Sequence, residues 1–160
     1  MTRFVLVLAV WLPWAVFVGG ASAEAQRVEA KPLSYGVLHV QYRAKLEKLL
    51  SGMPTRCHRN WTRYPDCKAL LNGRARLAAV YQRKGRLLKT NPPPRQAAML
   101  TNYLSNFGLP ADCRKLYKYY LAGDRARIAY HAGRLTKRKL DAKFLYVGFA
   151  DVTLRNFCRT

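Results

Sequence analysis

Hydrophobic residues recur along much of the chain at the three- and four-residue spacing of amphipathic helices. In the first such segment one face carries Tyr35, Leu38, Tyr42, Leu46 and Leu49. Ser34 is placed to cap this helix, and Gly52 and Pro54 are placed to end it. On the polar side, Arg43 and Glu47 stand four residues apart and are predicted to pair.

The same periodicity predicts further short helices, separated by glycine and proline. One is expected to begin at Asp66 and end near Gly85, the next to follow the prolines of residues 92–94 and end at Gly108, and another to follow Pro110. Residues 57–67 (CHRNWTRYPDC) have no helical period and predict a loop. The predicted fold class is therefore all-α: a compact array of five to six short helices, stapled by two disulfides.

Residues 113–139 contain the densest mixture of Tyr, Arg and Lys. They predict two short helices with a hinge at Ala122-Gly123, the second capped by Asp124. On that second helix, Arg127, His131, Arg134 and Arg138 would lie along one stripe about four turns long. The predicted anion-binding residues are Arg127, His131, Arg134, Lys137, Arg138, Lys115, Lys118 and Tyr130. The competing interpretation is the ordinary solvated face of an amphipathic helix.

A last helix is expected to begin at Asp141 and to carry the apolar residues of the C-terminal region. Its segment 144–149 (FLYVGF) fits a strand or a helix equally well by pattern. We expect a helix, because the remaining sequence offers no partner strand.

The charge balance changes the functional picture. The chain has 29 Lys and Arg against 8 Asp and Glu, which gives a net charge of +21 and an isoelectric point near 10.5. Apart from Arg3, these cations are spread from Arg27 to Arg159 among apolar residues, which indicates a folded basic protein and not a disordered basic arm. Such a protein attracts polyanions. The candidate partners are an envelope or surface polyanion, anionic lipid headgroups and nucleic acid.

The N-terminal region has the pattern of a secretory signal peptide at residues 1–23, with an Ala-x-Ala cleavage pattern ending at Ala23. An uncleaved anchor is the alternative. Residues 24–33 predict a flexible segment, and residues 34–160 a single helical domain. We therefore expect an exported protein, periplasmic or secreted, with no transmembrane segment after signal cleavage.

The four cysteines fit an oxidising compartment. Three pairings are possible, and we favour Cys57–Cys67 and Cys113–Cys158, which close a short and a long loop. By loop entropy these would contribute about 3 and 4 kcal/mol. The spacing of Cys57, His58 and Cys67 matches no standard zinc pattern, and no metal or other cofactor is predicted.

The sequence offers little material for catalysis. It has three histidines, most of its Asp residues are placed as helix caps, and neither a nucleophile elbow nor a phosphate-binding glycine loop is present. We therefore expect a non-enzymatic binding protein for an anionic partner. The alternatives are an adaptor or inhibitor module that docks an acidic protein, and a small secreted hydrolase with an acid–His pocket. The oligomeric state is left open.

Overall fold

Every regular element in the described part of the chain is a helix. The computed structural model describes residues 33–144 and 147–159, and no strand occurs among them. The helices are α1 (Tyr35–Leu50), α2 (Thr55–Arg59), α3 (Pro65–Leu87), α4 (Ala97–Ser105), α5 (Cys113–His131), α6 (Lys137–Phe144) and α7 (Val147–Phe157). The all-α prediction is confirmed. The predicted signal peptide and most of the flexible segment lie outside the described residues.

Helix α1 follows its sequence signals closely. The Ser34 side chain accepts a hydrogen bond from the backbone N–H of Val37 at 3.2 Å, which caps the first turn. Arg43 Nη2 lies 2.9 Å from Glu47 Oε1, so the predicted pair on the polar side forms.

Helix α5 is the main departure from the sequence-based expectation. It is one continuous helix capped by Asp112, whose side chain accepts from the backbone N–H of Lys115 at 2.7 Å. The predicted hinge at Ala122-Gly123 and the predicted cap at Asp124 are wrong. Gly123 serves close packing, because a Cβ atom there would stand 2.3 Å from a methyl carbon of Val147 on α7.

The predicted four-turn helix from Asp124 to Arg138 is also wrong. Helix α5 ends at His131, and Gly133 takes a left-handed conformation with φ +71° that turns the chain. A separate helix, α6, begins at Lys137. Asp141 does not begin a helix as expected; it lies inside α6, where it pairs with Lys137 at 2.8 Å.

The segment between the first two cysteines also differs from expectation. Residues 57–59 belong to the short helix α2, where a loop was predicted. Helix α3 begins at Pro65, a residue suited to a first helical position, so Asp66 lies in the first turn and is not the cap. The helix continues past Gly85, which is buried where a Cβ would come within 2.6 Å of the Tyr117 ring.

Helix α5 forms the centre of the packing and contacts α1, α3, α6 and α7. Both predicted disulfides, Cys57–Cys67 and Cys113–Cys158, are present. Beside the second disulfide, the backbone N–H of Gly36 donates to the carbonyl of Cys158 at 2.8 Å. The start of α1 and the end of α7 are thus held together, and the described residues form one compact unit.

Helix α4 lies at the edge of this packing and buries only part of its surface. Leu100 and Leu104 are in the core, whereas Met99 and Tyr103 are exposed. Among the described helices, none is long and apolar enough to cross a membrane.

Candidate functional site

The carboxylates of the fold are already engaged by its own groups. Residues 33–159 hold 26 of the 29 basic residues and six of the eight acidic ones. Five of these six acids contact a basic side chain, and Asp112 caps α5. The fold therefore neutralises little of its positive charge, and a large excess faces the solvent.

A strongly cationic concavity is the α3–α5 cleft, a cavity of about 300 Å³ between helices α3 and α5. Its lining consists of Tyr35, Gln82, Gly85, Arg86, Arg114, Tyr117, Lys118, Leu121 and Arg125. None of these described residues is acidic, and four of them are cations. The cleft is therefore a region of positive charge with no carboxylate in its wall.

The continuity of α5 creates this arrangement. Arg114, Lys118 and Arg125 stand at positions i, i+4 and i+11 of one helix, and therefore point to one side. Leu121 at i+7 supplies an apolar wall between the last two cations. Helix α3 adds Arg86 from the opposite side, so the cations come from both walls.

Hydrogen bonds fix the floor of the α3–α5 cleft. The Arg114 Nε–H donates to the Tyr35 hydroxyl at 2.9 Å, and that hydroxyl donates to the Gly85 carbonyl at 3.1 Å. The Tyr117 hydroxyl donates to the Tyr81 carbonyl at 2.9 Å, and burial raises the Tyr117 pKa, which keeps the phenol neutral. Arg114 is thus held in place over an uncharged floor.

The chemistry of this cleft is that of anion binding. Guanidinium groups hydrogen-bond phosphate and carboxylate oxygens in a bidentate manner, and an ammonium group adds a point charge. Arg125 is positioned by its Nη1–H, which donates to Gln82 Oε1 at 2.5 Å. The described lining contains no Asp, Glu, His, Ser or Cys.

A second cleft of about 460 Å³ lies between α1, α5 and α7, and its charges are mixed. Its wall includes Arg43, Glu47, Asp124, Arg127 and Asp151. Burial and the neighbouring charge of Arg74 lower the pKa of Arg127 from its ordinary value. Because each cation here stands near a carboxylate, this cleft is a weaker candidate for a polyanion than the α3–α5 cleft.

Beneath the second cleft lies the buried charge network, formed by Arg74, Asp124 and Tyr42. Arg74 and Asp124 are 3% and 4% exposed. They form an ion pair, with a further contact of 3.5 Å from Arg74 Nε to Asp124 Oδ2, and the Tyr42 hydroxyl donates to the same carboxylate. Three helices, α1, α3 and α5, are joined through one carboxylate.

An acid–His pair also borders the second cleft, with its histidine buried behind its carboxylate. His39 is fully buried, its Nε2 lies 2.7 Å from Asp151 Oδ1, and its Nδ1 has no hydrogen-bond partner among the described residues. Burial lowers the His39 pKa and outweighs the opposing effect of Asp151. Burial alone would raise the Asp151 pKa, but hydrogen bonds from Arg43 and His39 lower it. The solvent-facing group is thus a weakly basic carboxylate.

The predicted anion-binding residues are distributed over three parts of the chain. Lys115, Lys118, Arg127, Tyr130 and His131 lie on α5, Arg134 follows it, and Lys137 and Arg138 lie on α6. Of these eight, Lys118 lines the α3–α5 cleft and Arg127 lines the second cleft. Arg134, Lys137 and Arg138 are exposed. The single stripe predicted for them depended on a helix that the structure divides in two.

His131 packs against an aromatic ring at the end of α5. Its ring lies 4.9 Å from that of the buried Trp61. Burial, followed by the charges of Arg74 and Arg127, lowers the His131 pKa to about 4. The imidazole is therefore neutral near pH 7 and contributes no positive charge there.

Three cations of the α3–α5 cleft, Arg86, Arg114 and Arg125, were missed in the sequence. The signal was present, because Arg114, Lys118 and Arg125 have helical spacing. The predicted division at residues 122–123 separated Arg125 from Arg114 and Lys118, although Arg114 and Lys118 stood on one predicted helix. Arg86 on α3 could not be assigned to this cleft without knowing that α3 packs against α5.

Comparisons with known protein families, with curated proteins and with solved structures find no match to this chain.

Proposed function

We propose that this chain is an exported, strongly cationic, non-enzymatic protein that binds an anionic polymer through the α3–α5 cleft. The observation that carries the proposal is the lining of that cleft, with four cations and no carboxylate among the described residues. The partner is a polymer bearing phosphate or carboxylate groups, such as an envelope or surface polyanion. The two disulfides support an oxidising, periplasmic or extracellular location.

The cleft adds a localised site to the general attraction between this cationic protein and polyanions. Excess charge over the whole surface raises the encounter rate with any polyanion and is screened by salt. Groups held in place, such as Arg114 on the Tyr35 hydroxyl, lose less side-chain freedom when an anion binds. A specific ligand should therefore stay bound at salt concentrations that release the others.

The test compares two variants of equal charge. Lys118→Glu with Arg125→Glu reverses two cations of the α3–α5 cleft. Lys68→Glu with Arg76→Glu reverses one Lys and one Arg that are exposed on α3 and do not line the cleft. Both double variants change the net charge by the same amount, so they alter the general field of the protein equally.

Binding is measured by salt titration against DNA, lipopolysaccharide, an acidic cell-wall polymer and anionic liposomes. We expect at least one ligand to remain bound at physiological salt, with its affinity reduced about tenfold or more by the cleft variant and about threefold or less by the control, on the magnitudes of charge-assisted hydrogen bonds and surface charges. Equal losses in the two variants would show that binding reflects charge alone.

A further inference from the structure

A stretch of sixteen residues, 96–111, contains no charged side chain, although 23% of the chain is charged. It includes all of helix α4. Two of its large apolar side chains are strongly exposed, Met99 at 58% and Tyr103 at 49%. In so cationic a protein, this neutral surface stands apart from the rest.

Helix α7 extends this surface. The ring centroid of Tyr103 lies 5.4 Å from that of Phe107 and 6.0 Å from that of Phe149 on α7, and Phe107 stacks on Phe149 at 4.3 Å. Val152, one turn beyond Phe149, is 45% exposed. The α4–α7 patch comprises Met99, Tyr103, Phe107, Phe149 and Val152.

Cations flank the α4–α7 patch. Arg95 immediately precedes the neutral stretch, and its backbone N–H donates to the Phe157 carbonyl at the end of α7 at 2.9 Å. Arg155 and Arg159 lie three and seven residues after Val152. Arg95, Arg155 and Arg159 are all exposed. Apolar and aromatic side chains with adjacent Arg or Lys form the composition that inserts into the headgroup region of an anionic bilayer.

We infer that the α4–α7 patch is a membrane-docking surface for the headgroup region of bilayers containing anionic lipid. Met99 and Tyr103 would enter the boundary between headgroups and acyl chains, while the flanking arginines contact lipid phosphates. The charge distribution favours lipid over a protein partner. Exposed cations lie on every described helix except α4, and a fluid layer of anionic lipids can match such scattered cations without fixed acidic residues. The patch shares no residue with the α3–α5 cleft, so it is independent of the proposed polymer site.

The test uses the full chain as it is purified, with vesicles of phosphatidylcholine and phosphatidylglycerol at about three to one, and with pure phosphatidylcholine vesicles for comparison. Met99→Ser with Tyr103→Ser removes exposed apolar groups from the patch. Val80→Ser with Leu87→Ser is the matched control, since both residues are exposed on α3 away from α4. Far-ultraviolet circular dichroism confirms that each variant is folded.

We expect the wild type to partition into the anionic vesicles and to keep part of that binding at high salt, where the electrostatic contribution is screened. The patch variant should lose at least tenfold in partitioning at high salt, and the control should change less than twofold. Equal partitioning of the wild type and the patch variant would overturn the proposal.

A second measurement uses a variant in which Tyr103 and its packing are unchanged. Met99→Trp places a fluorescent side chain at the most exposed patch position, and its emission should shift to the blue when anionic vesicles are added. An unchanged spectrum with bound vesicles would overturn the inference. So would a sedimentation experiment in which the wild type is dimeric and the patch variant monomeric, because the patch would then belong to a second copy of the chain.

Discussion

The buried charge network and the α3–α5 cleft use the same residue type for opposite purposes. In the buried charge network, Arg74 meets the carboxylate of Asp124 and is almost removed from solvent. In the cleft, Arg86 on one wall faces Arg114, Lys118 and Arg125 on the other, and the described lining contains no carboxylate. The comparison teaches that removing the counter-charge of a buried arginine leaves that charge uncompensated, whereas changing an exposed cleft cation leaves no buried charge without a partner. The two regions should differ in how strongly a substitution changes the free energy of unfolding.

The largest expected effect comes from the buried charge network. Asp124→Asn leaves Arg74 buried without its counter-charge and should lower the free energy of unfolding by about 3–5 kcal/mol. Urea denaturation followed by circular dichroism measures this change. The double variant Arg74→Met with Asp124→Leu removes both charges and should recover most of the loss, because neither charge is then buried alone. A loss under about 1 kcal/mol in Asp124→Asn would contradict this account.

An effect of intermediate size on the free energy of unfolding is expected as the pH falls. The His131 pKa is about 4 in the fold and 6.5 in the unfolded chain, so between these values the unfolded chain binds a proton that the folded chain does not. Stability from this group is fully present above pH 6.5 and falls as the pH falls toward 4, by about 1–2 kcal/mol after allowance for partial exposure.

The measurement is a series of urea titrations from pH 7 to pH 4. His131→Gln should flatten the dependence on pH, while the part due to His39, whose pKa is also lowered, should remain. An identical slope in the wild type and in His131→Gln would show that His131 titrates normally.

A small effect on stability is expected in the α3–α5 cleft. Lys118→Glu with Arg125→Glu should change the free energy of unfolding by less than about 0.5 kcal/mol, because both residues are exposed and the substitutions relieve repulsion between like charges. The same variant should lose polymer affinity, so binding and stability would be uncoupled. Destabilisation comparable to that of Asp124→Asn would place the cleft cations among the structural charges.

The smallest effect is expected for a surface pair. Glu47→Gln removes one partner of Arg43, but Glu47 is 67% exposed and Arg43 keeps its contact with Asp151 at 3.0 Å. The cost should be about 0.2–0.5 kcal/mol. Chemical denaturation at low and high salt measures it, and a larger loss that persists at high salt would contradict the assignment to a screened surface pair.

Local signals predicted the elements whose determinants are close in sequence. Helix α1 was predicted because Ser34 caps it, a single apolar stripe covers one face, and Gly52 and Pro54 follow its end. The two disulfides were predicted because loop length and helix order favoured one pairing among three. The all-α class followed from the periodicity of the whole chain.

The errors arose where the partner of a residue is distant. An aspartate after a glycine is a reasonable helix cap by local rules, yet Asp124 binds Arg74, fifty residues earlier, and Tyr42, eighty-two residues earlier. Gly123 likewise resembles a hinge by local rules, but in the fold Val147 packs closely against it. These two local interpretations together divided α5 and separated Arg125 from Arg114 and Lys118. Of the eight predicted anion-binding residues, Lys118 alone lies in the described lining of that cleft.

The contact between Gly36 and Cys158 has a consequence for the order of folding. The first helix rests on backbone atoms near residue 158, and a Cβ at position 36 would come within 2.5 Å of them. A chain that emerges from the ribosome or a translocation channel from its N-terminal end can therefore pack α1 on α3 early, but it cannot complete the packing of α1 until α7 is available. Contacts so far apart in sequence are slow to form. Folding of this helical protein should thus wait for its final helix, and oxidation of Cys113 with Cys158 then closes the structure.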